Sequence, residues 1–234
     1  MKTATYLMTE AALKKGWIRS EQDVETDAKG RIVVGQDAFR YIVNLGWGEL
    51  DPNITPVGDC HEMVQDSQGR IILLTNDTHN NVVVYDKNGK FLTSWGTEYP
   101  GAHGLTLSTE NGEDFLFICD NNRHQVIKTT LTGKEVMVLG IPTEAGVYDT
   151  PEQYIPTEVA VAPNGDFYVA DGYGQDWVIQ YDHNGKYIRH FGGKGTGAAH
   201  LNNAHGVCVD TRNPQDPFLW VTSRPEHRFK RFSL

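Results

Sequence analysis

Three histidines of this chain stand at one recurring position. His61 opens His61-Glu62-Met63-Val64, His103 opens His103-Gly104-Leu105-Thr106-Leu107, and His205 opens His205-Gly206-Val207-Cys208-Val209. Glu158 holds the same position in Glu158-Val159-Ala160-Val161. Imidazole is a common zinc ligand, and three imidazoles leave one tetrahedral position for water or substrate. A His before Gly at a strand start can also do no more than hydrogen-bond a neighbouring backbone. The ligands lie much further apart than in a zinc finger, so only the register of a larger repeat can bring them together.

That larger repeat is visible. A unit runs from His61 to Gly96, a second from His103 to Gly140, a third from Glu158 to Gly192, and a fourth from His205 onward. Each opens with an alternating strand, in which successive side chains point to opposite faces. A turn follows (Ser67-Gln68-Gly69, Asn111-Gly112, Asn164-Gly165), then a more apolar strand ending in Asp77, Asp120 or Asp171. A third strand leads to Asn88-Gly89-Lys90, Thr132-Gly133-Lys134 or Asn184-Gly185-Lys186, and the unit closes at Trp95-Gly96, Leu139-Gly140 or Phe191-Gly192. Four short strands at a period of about 40 residues predict an all-β chain folded as a β-propeller, one unit per blade. Apolar second strands fit burial on both faces, between neighbouring blades. In that architecture the first strand of each blade lines the central channel, so the recurring slot places His61, His103 and His205 around one axis.

The expected organisation is an N-terminal extension over 1–30 and a propeller over 31–234. It comprises a blade end at 31–58, blades at 59–96, 101–140 and 156–192, and a partial blade at 203–234. Six blades are expected for a closed ring, so this chain is an incomplete or truncated one. An open ring exposes strand edges and favours self-association. Residues 141–156, with Tyr148, Pro151, Tyr154 and Pro156, form an inter-blade insertion of the kind that shapes a propeller mouth.

The formal net charge of −9 argues against a nucleic-acid partner, which calls for basic stripes. No apolar run reaches the roughly 20 residues of a membrane span. Residues 1–17 lack an apolar signal core and could form a short helix; the compartment stays open, because an export signal can be removed. Cys60, Cys119 and Cys208 are no disulfide framework. Cys119 and Cys208 read as small buried hydrophobes, and Cys60 as structural, although it precedes His61. His79, His124, His183, His190, His200 and His227 fall outside the slot and read as surface or turn residues.

The units resemble NHL repeats, most clearly at Asp120-Asn121-Asn122-Arg123-His124-Gln125-Val126. Pro156-Thr157-Glu158-Val159-Ala160-Val161, Val169-Ala170-Asp171-Gly172-Tyr173 and Ile179-Gln180-Tyr181 are similar to the lyase domain of peptidylglycine α-amidating enzymes, over roughly residues 60–232. The resemblance implies a six-bladed propeller with a catalytic zinc held by histidines that open inner strands. Ala102-His103-Gly104 and Ala204-His205-Gly206 match those positions, with Ala in place of Pro. It further implies that Tyr173, after an Asp-Gly, is the catalytic tyrosine, and that Arg224 in Val221-Thr222-Ser223-Arg224 binds the substrate carboxylate. The implied reaction splits a carbon–nitrogen bond of a hydroxylated, carboxylate-bearing compound, small molecule or peptide.

Departures from the pattern accompany the match. The family's zinc histidines come from alternate blades, as His103 and His205 do, and the third would lie on a blade beyond Leu234. His61 is on the adjacent blade, where it either substitutes or leaves the set incomplete. The family's bracing cysteines are absent. A non-catalytic NHL-repeat propeller that binds a protein or ligand through its mouth loops is the competing function. A calcium-dependent lactonase-type propeller fits less well, since its inner slots call for Asn, Asp and Glu.

Overall fold

The computed structural model describes residues 25–51 and 53–234. The short helix expected near the N-terminus lies outside the described residues. Two compact units divide the chain, Met1–Glu49 and Leu50–Leu234. In the first, β1 (Val33–Gln36) and β2 (Phe39–Ile42) form an antiparallel hairpin with Gln36 opposite Phe39. Residues 44–51 are turns and irregular chain, so the blade end expected at 31–58 has no strand in that stretch.

The second unit carries the repeat as four sheets. The first contains β3 (Glu62–Gln65), β4 (Ile71–Leu74), β5 (Val82–Tyr85) and β6 (Phe91–Trp95). The second contains β7 (Ala102–Glu110), β8 (Glu113–Asp120), β9 (Gln125–Thr130) and β10 (Glu135–Leu139). The third contains β11 (Glu158–Val161), β12 (Phe167–Ala170), β13 (Trp177–Tyr181) and β14 (Tyr187–Gly192). The fourth has three strands, β15 (Val207–Asp210), β16 (Phe218–Ser223) and β17 (Arg228–Ser233). Each sheet is an antiparallel meander in chain order. The third and fourth strands of the first three sheets all slip register near the hairpin, at Val84/Tyr85, Glu135/Met137 and Gln180/Tyr181. One bulge in one place three times is the mark of a single repeated unit.

Turn chemistry explains the recurrence. Asp86 Oδ1 accepts the N–H groups of Asn88 and Lys90 at 2.8 and 3.0 Å. Asp182 Oδ1 does the same for Asn184 and Lys186, and Asp66 Oδ1 for Gln68 and Arg70. In the second sheet Thr130 takes the place of that Asp, and its hydroxyl accepts the Lys134 N–H. An acidic side chain two residues before the turn thus satisfies the donors that a tight reversal leaves free.

The core lies between sheets, not within one. Alternate residues of β8 face opposite ways. Leu116 and Ile118 pack with Ile72, Leu74, Val82 and Val84 of the first sheet. Phe117 and Cys119 pack with Phe167, Val169 and Ile179 of the third. Tyr168, Ala170 and Val178 in turn meet Val207, Leu219 and Val221 of the fourth. This is why second strands are apolar on both faces: a fully buried large side chain contributes roughly 1.5–3 kcal/mol, and both faces of these strands collect it. The inner strands β3, β7, β11 and β15 lie side by side in that order.

Cys208 departs from the sequence expectation. It is exposed, whereas Cys119 is buried. Val207 and Val209 pack into the interface between the third and fourth sheets, which Cys208 does not join, and all three line a cavity of about 560 Å³ along the inner strands. Cys60 is also exposed.

Candidate functional site

Each slot residue stands at the entrance of an inner strand: His61 immediately before β3, His103 within the first residues of β7, and His205 two residues before β15. Glu158 is the first residue of β11. The β7–β8 register shifts between Ala102 and Leu105, so His103 and Gly104 occupy a bulge, a device that re-aims side chains at sheet rims. Gly104 is required there, because a Cβ would lie 2.3 Å from the Thr157 carbonyl oxygen. That close approach lets His103 Nδ1–H donate to the same carbonyl at 3.0 Å.

The other ring nitrogen of His103 faces Tyr173. Nε2 is 3.2 Å from Tyr173 Oη, and His205 Nε2 is 2.9 Å from the same oxygen. With Nδ1 of His103 donating to a carbonyl, its Nε2 is the acceptor in the neutral ring. The phenol then donates to His103 and accepts from His205 Nε2–H, which gives each contact one proton. Tyr173 is 38% exposed, so this point is open to solvent.

The surroundings keep both rings neutral. Burial pushes the pKa of His103 down, opposed by the Thr157 hydrogen bond and assisted by His61 and Arg224. His205 is pushed down to about 4, first by burial and then by His103, Arg224 and His61. Arg224 is exposed, and its positive charge acts on both imidazoles. Neutral imidazole is the form that binds metal.

The donor set can be compared with what zinc requires. A buried His whose second nitrogen donates to a backbone carbonyl is the usual arrangement of a zinc ligand. His103 has it, and His205 directs Nε2 at the same point. His61 is placed differently. Its ring stacks on His103 with centroids 4.2 Å apart and planes 30° apart, while His103 and His205 meet edge to face at 4.8 Å. A metal lies near the plane of each ligand ring, and two stacked rings do not share one such point. Among the described residues, no group of three His, Cys, Asp or Glu has its donors disposed around one ion. The pair supplies two of the three protein ligands that a catalytic zinc takes, and His61 would have to turn its ring edge-on to supply the third.

Sequence reasoning missed several supporting groups. Thr157 contributes only a backbone carbonyl, which leaves no trace in residue type. Tyr148, from the 141–156 insertion, donates its hydroxyl to Asp171 Oδ2 at 2.9 Å. Asp171 also accepts the N–H groups of Ile155 and Gln175, which pins the turn carrying Tyr173. Burial raises the Asp171 carboxyl to about 7 against the pull of those donors. Deeper along the inner strands, Glu62 Oε2 accepts Leu105 N–H at 2.8 Å, and Thr106 Oγ1 lies 2.9 Å from Glu158 Oε1. Burial, followed by the hydrogen bond and charge of Glu62, raises Glu158 to about 10, so it stands protonated against Glu62.

Four meandering sheets set side by side, with one inner strand each around a shared cavity, decide the architecture. The fold is a β-propeller. Virginiamycin B lyase from Staphylococcus aureus superposes with a TM-score of 0.53 at 12% identity, covering 90% of this chain and 69% of that one. A Bacteroides thetaiotaomicron protein of unknown function gives 0.60 at 16% identity, covering 92% and 57%. In sequence, the propeller is 28% identical over 207 residues to NHL repeat-containing protein 3 of Mus musculus, 81% of this chain and 56% of that protein. It is 35% identical over 135 residues to peptidyl-α-hydroxyglycine α-amidating lyase 1 of Drosophila melanogaster, 56% of this chain and 22% of that protein. No protein-family model matches the chain. The propeller thus resembles NHL-repeat proteins and amidating lyases, and spans only part of the length of these relatives.

Proposed function

We propose that this propeller is a metal-dependent lyase-like enzyme that cleaves a carbon–nitrogen bond in a small hydroxylated, carboxylate-bearing substrate at the channel mouth. The carrying observation is the meeting of His103 Nε2, His205 Nε2 and Tyr173 Oη at one solvent-open point. Similarity to the amidating lyases supports the same reading. His103 and His205 would hold a zinc ion, and His61 would complete the set with its ring turned edge-on. Such an ion would polarise a substrate hydroxyl and lower its pKa. Tyr173 Oη relays the proton, taking it from the substrate hydroxyl as the phenol gives up its own. The C–O electrons then form a carbonyl, the C–N bond breaks, and a proton passes to the leaving nitrogen. The exposed Arg224 guanidinium binds the substrate carboxylate in two-pronged fashion.

Elemental analysis of the purified protein tests this. About one zinc per chain is expected, lost in His103→Ala and in His205→Ala, together with formation of amide and glyoxylate from a peptidyl-α-hydroxyglycine probe. A well-folded, metal-free and inactive protein would sink the proposal. It would leave a ligand-binding NHL-type propeller, which the longer match to NHL repeat-containing protein 3 favours.

A further inference from the structure

The two halves of the site, the Tyr173 turn and the His205 strand entrance, are joined through the side chains of Asn203 and Asp176. Asn203 Nδ2 donates to the Gly172 carbonyl at 3.0 Å, directly before Tyr173. Its own carbonyl accepts the His205 N–H at 2.8 Å and the Arg224 N–H at 3.4 Å. Asn203 has φ of +53°, a left-handed conformation that Asn tolerates better than most residues. Asp176, buried at the far end of the Tyr173 turn, accepts the N–H groups of Asn203 and Ala204. The two segments approach so closely that a Cβ on Gly172 would lie 2.2 Å from the Ala204 carbonyl oxygen. Thr157 Oγ1 reaches that same oxygen at 3.0 Å, while the Thr157 carbonyl receives the His103 ring.

We infer that Asn203 is a positioning residue that sets Tyr173, His205 and Arg224 in mutual register. Three bonds from one residue reach the segments that carry all three groups. A hydrogen bond of this kind holds a reacting atom within the fraction of an ångström that catalysis demands. Its side-chain amide acts through Gly172 O on one side, and its main-chain carbonyl acts through the His205 and Arg224 N–H groups on the other. In the context of the proposed lyase, Asn203 fixes where the phenol sits against the imidazole pair.

Asn203→Gly keeps the backbone conformation and deletes the amide. Asn203→Asp keeps the shape and the left-handed tolerance, and sets a carboxylate against the Gly172 carbonyl. Both are tested with Tyr173→3-fluorotyrosine in the same chain, so the fluorine resonance reports the phenol's surroundings without substrate. In both variants that resonance is expected to move toward the position of free fluorotyrosine, with Asn202→Ala as an unmoved control. Zinc affinity is expected to fall by about 10–100-fold, as for other residues that orient ligands. On the peptidyl-α-hydroxyglycine probe kcat is expected to fall while KM holds. If Asn203→Gly does not fold, Asn203→Asp carries the test. An unmoved resonance in a folded variant overturns the positioning role, whatever the turnover. A moved resonance in a protein that binds no zinc and turns over nothing keeps the positioning role and removes the lyase.

Discussion

Tyr173 is the residue on which the proposed chemistry depends. Its oxygen lies between two imidazole nitrogens, and removing that oxygen leaves both rings in place. Tyr173→Phe is therefore expected to lower turnover by about 10²–10⁴-fold, the usual worth of a general base, while zinc content stays at the wild-type level. Unchanged turnover would take Tyr173 out of the mechanism. Titration separates two neighbouring groups of opposite sign. His205 has a folded pKa of about 4 against an ordinary 6.5, so the unfolded chain binds more protons between them, and its contribution to stability is lost as pH falls through that window. Glu158, at about 10 against 4.5, binds its proton in the folded state, so its contribution is lost as pH rises from about 4.5 toward 10. Glu158→Gln copies the protonated form. It is expected to raise the unfolding midpoint by a few degrees at pH 8 and to leave it nearly unchanged at pH 4; equal midpoints at pH 8 would show Glu158 ionised at no cost. The histidine slot was legible because the same position recurs in three units. The stacking of His61 on His103 was not, since a repeat register fixes where a Cα sits and not how a ring turns.

At the scale of the element, two turns and a bulge decide where the side chains point. Gly172 has Ala204 O where a methyl group would go, and Gly104 has Thr157 O. Gly172→Ala must push the Tyr173 turn away from the His205 entrance. A loss of about 1–3 kcal/mol in denaturant unfolding is expected, in line with overpacking elsewhere, accompanied by loss of zinc binding. Stability and zinc affinity both at wild-type levels would mean the turn has room that the structure does not show. Most elements could be read from sequence. Second strands such as Phe115-Leu116-Phe117-Ile118 are apolar throughout because neighbouring sheets cover both faces, and the turn motifs repeat because the same donors need the same acceptor. Cys208 was misjudged for a related reason: alternation shows that two faces differ, and only the packed neighbours show which one is covered. Thr157 was invisible because a carbonyl carries no signature, and Asn203 because nothing in its type marks a residue that spans two loops.

For the propeller as a whole, the fourth sheet ends on β17, which pairs with β16 on one side. The other three sheets each carry a fourth strand at that place. An edge strand offers a row of free backbone groups, and Phe229 on β17 is 74% exposed. Arg228 is exposed on the same strand, whereas Lys230 and Arg231 are ion-paired with Glu226 and Asp216. A polypeptide of these 234 residues alone, with β17 paired on one side, is expected to associate with increasing concentration in sedimentation velocity. Phe229→Pro should weaken the association by removing a backbone donor and an apolar contact. A monomer at every concentration would mean the edge is already satisfied. The blade plan and the count of visible repeats could be read from spacing alone, whereas the fate of an edge depends on what else is present to meet it.

The contact between Tyr173 and His103 closes over 70 residues, and the one between Tyr173 and His205 over 32. The first needs the second sheet and the opening half of the third, and the second also needs the entrance to the fourth. In the proposed metalloenzyme, capture of the ion would therefore follow the emergence of residue 205, and a shorter nascent chain would lack one of its two Nε2 donors. Pulse-chase with a zinc chelator would date that step, since the site should stay silent until residue 205 has emerged.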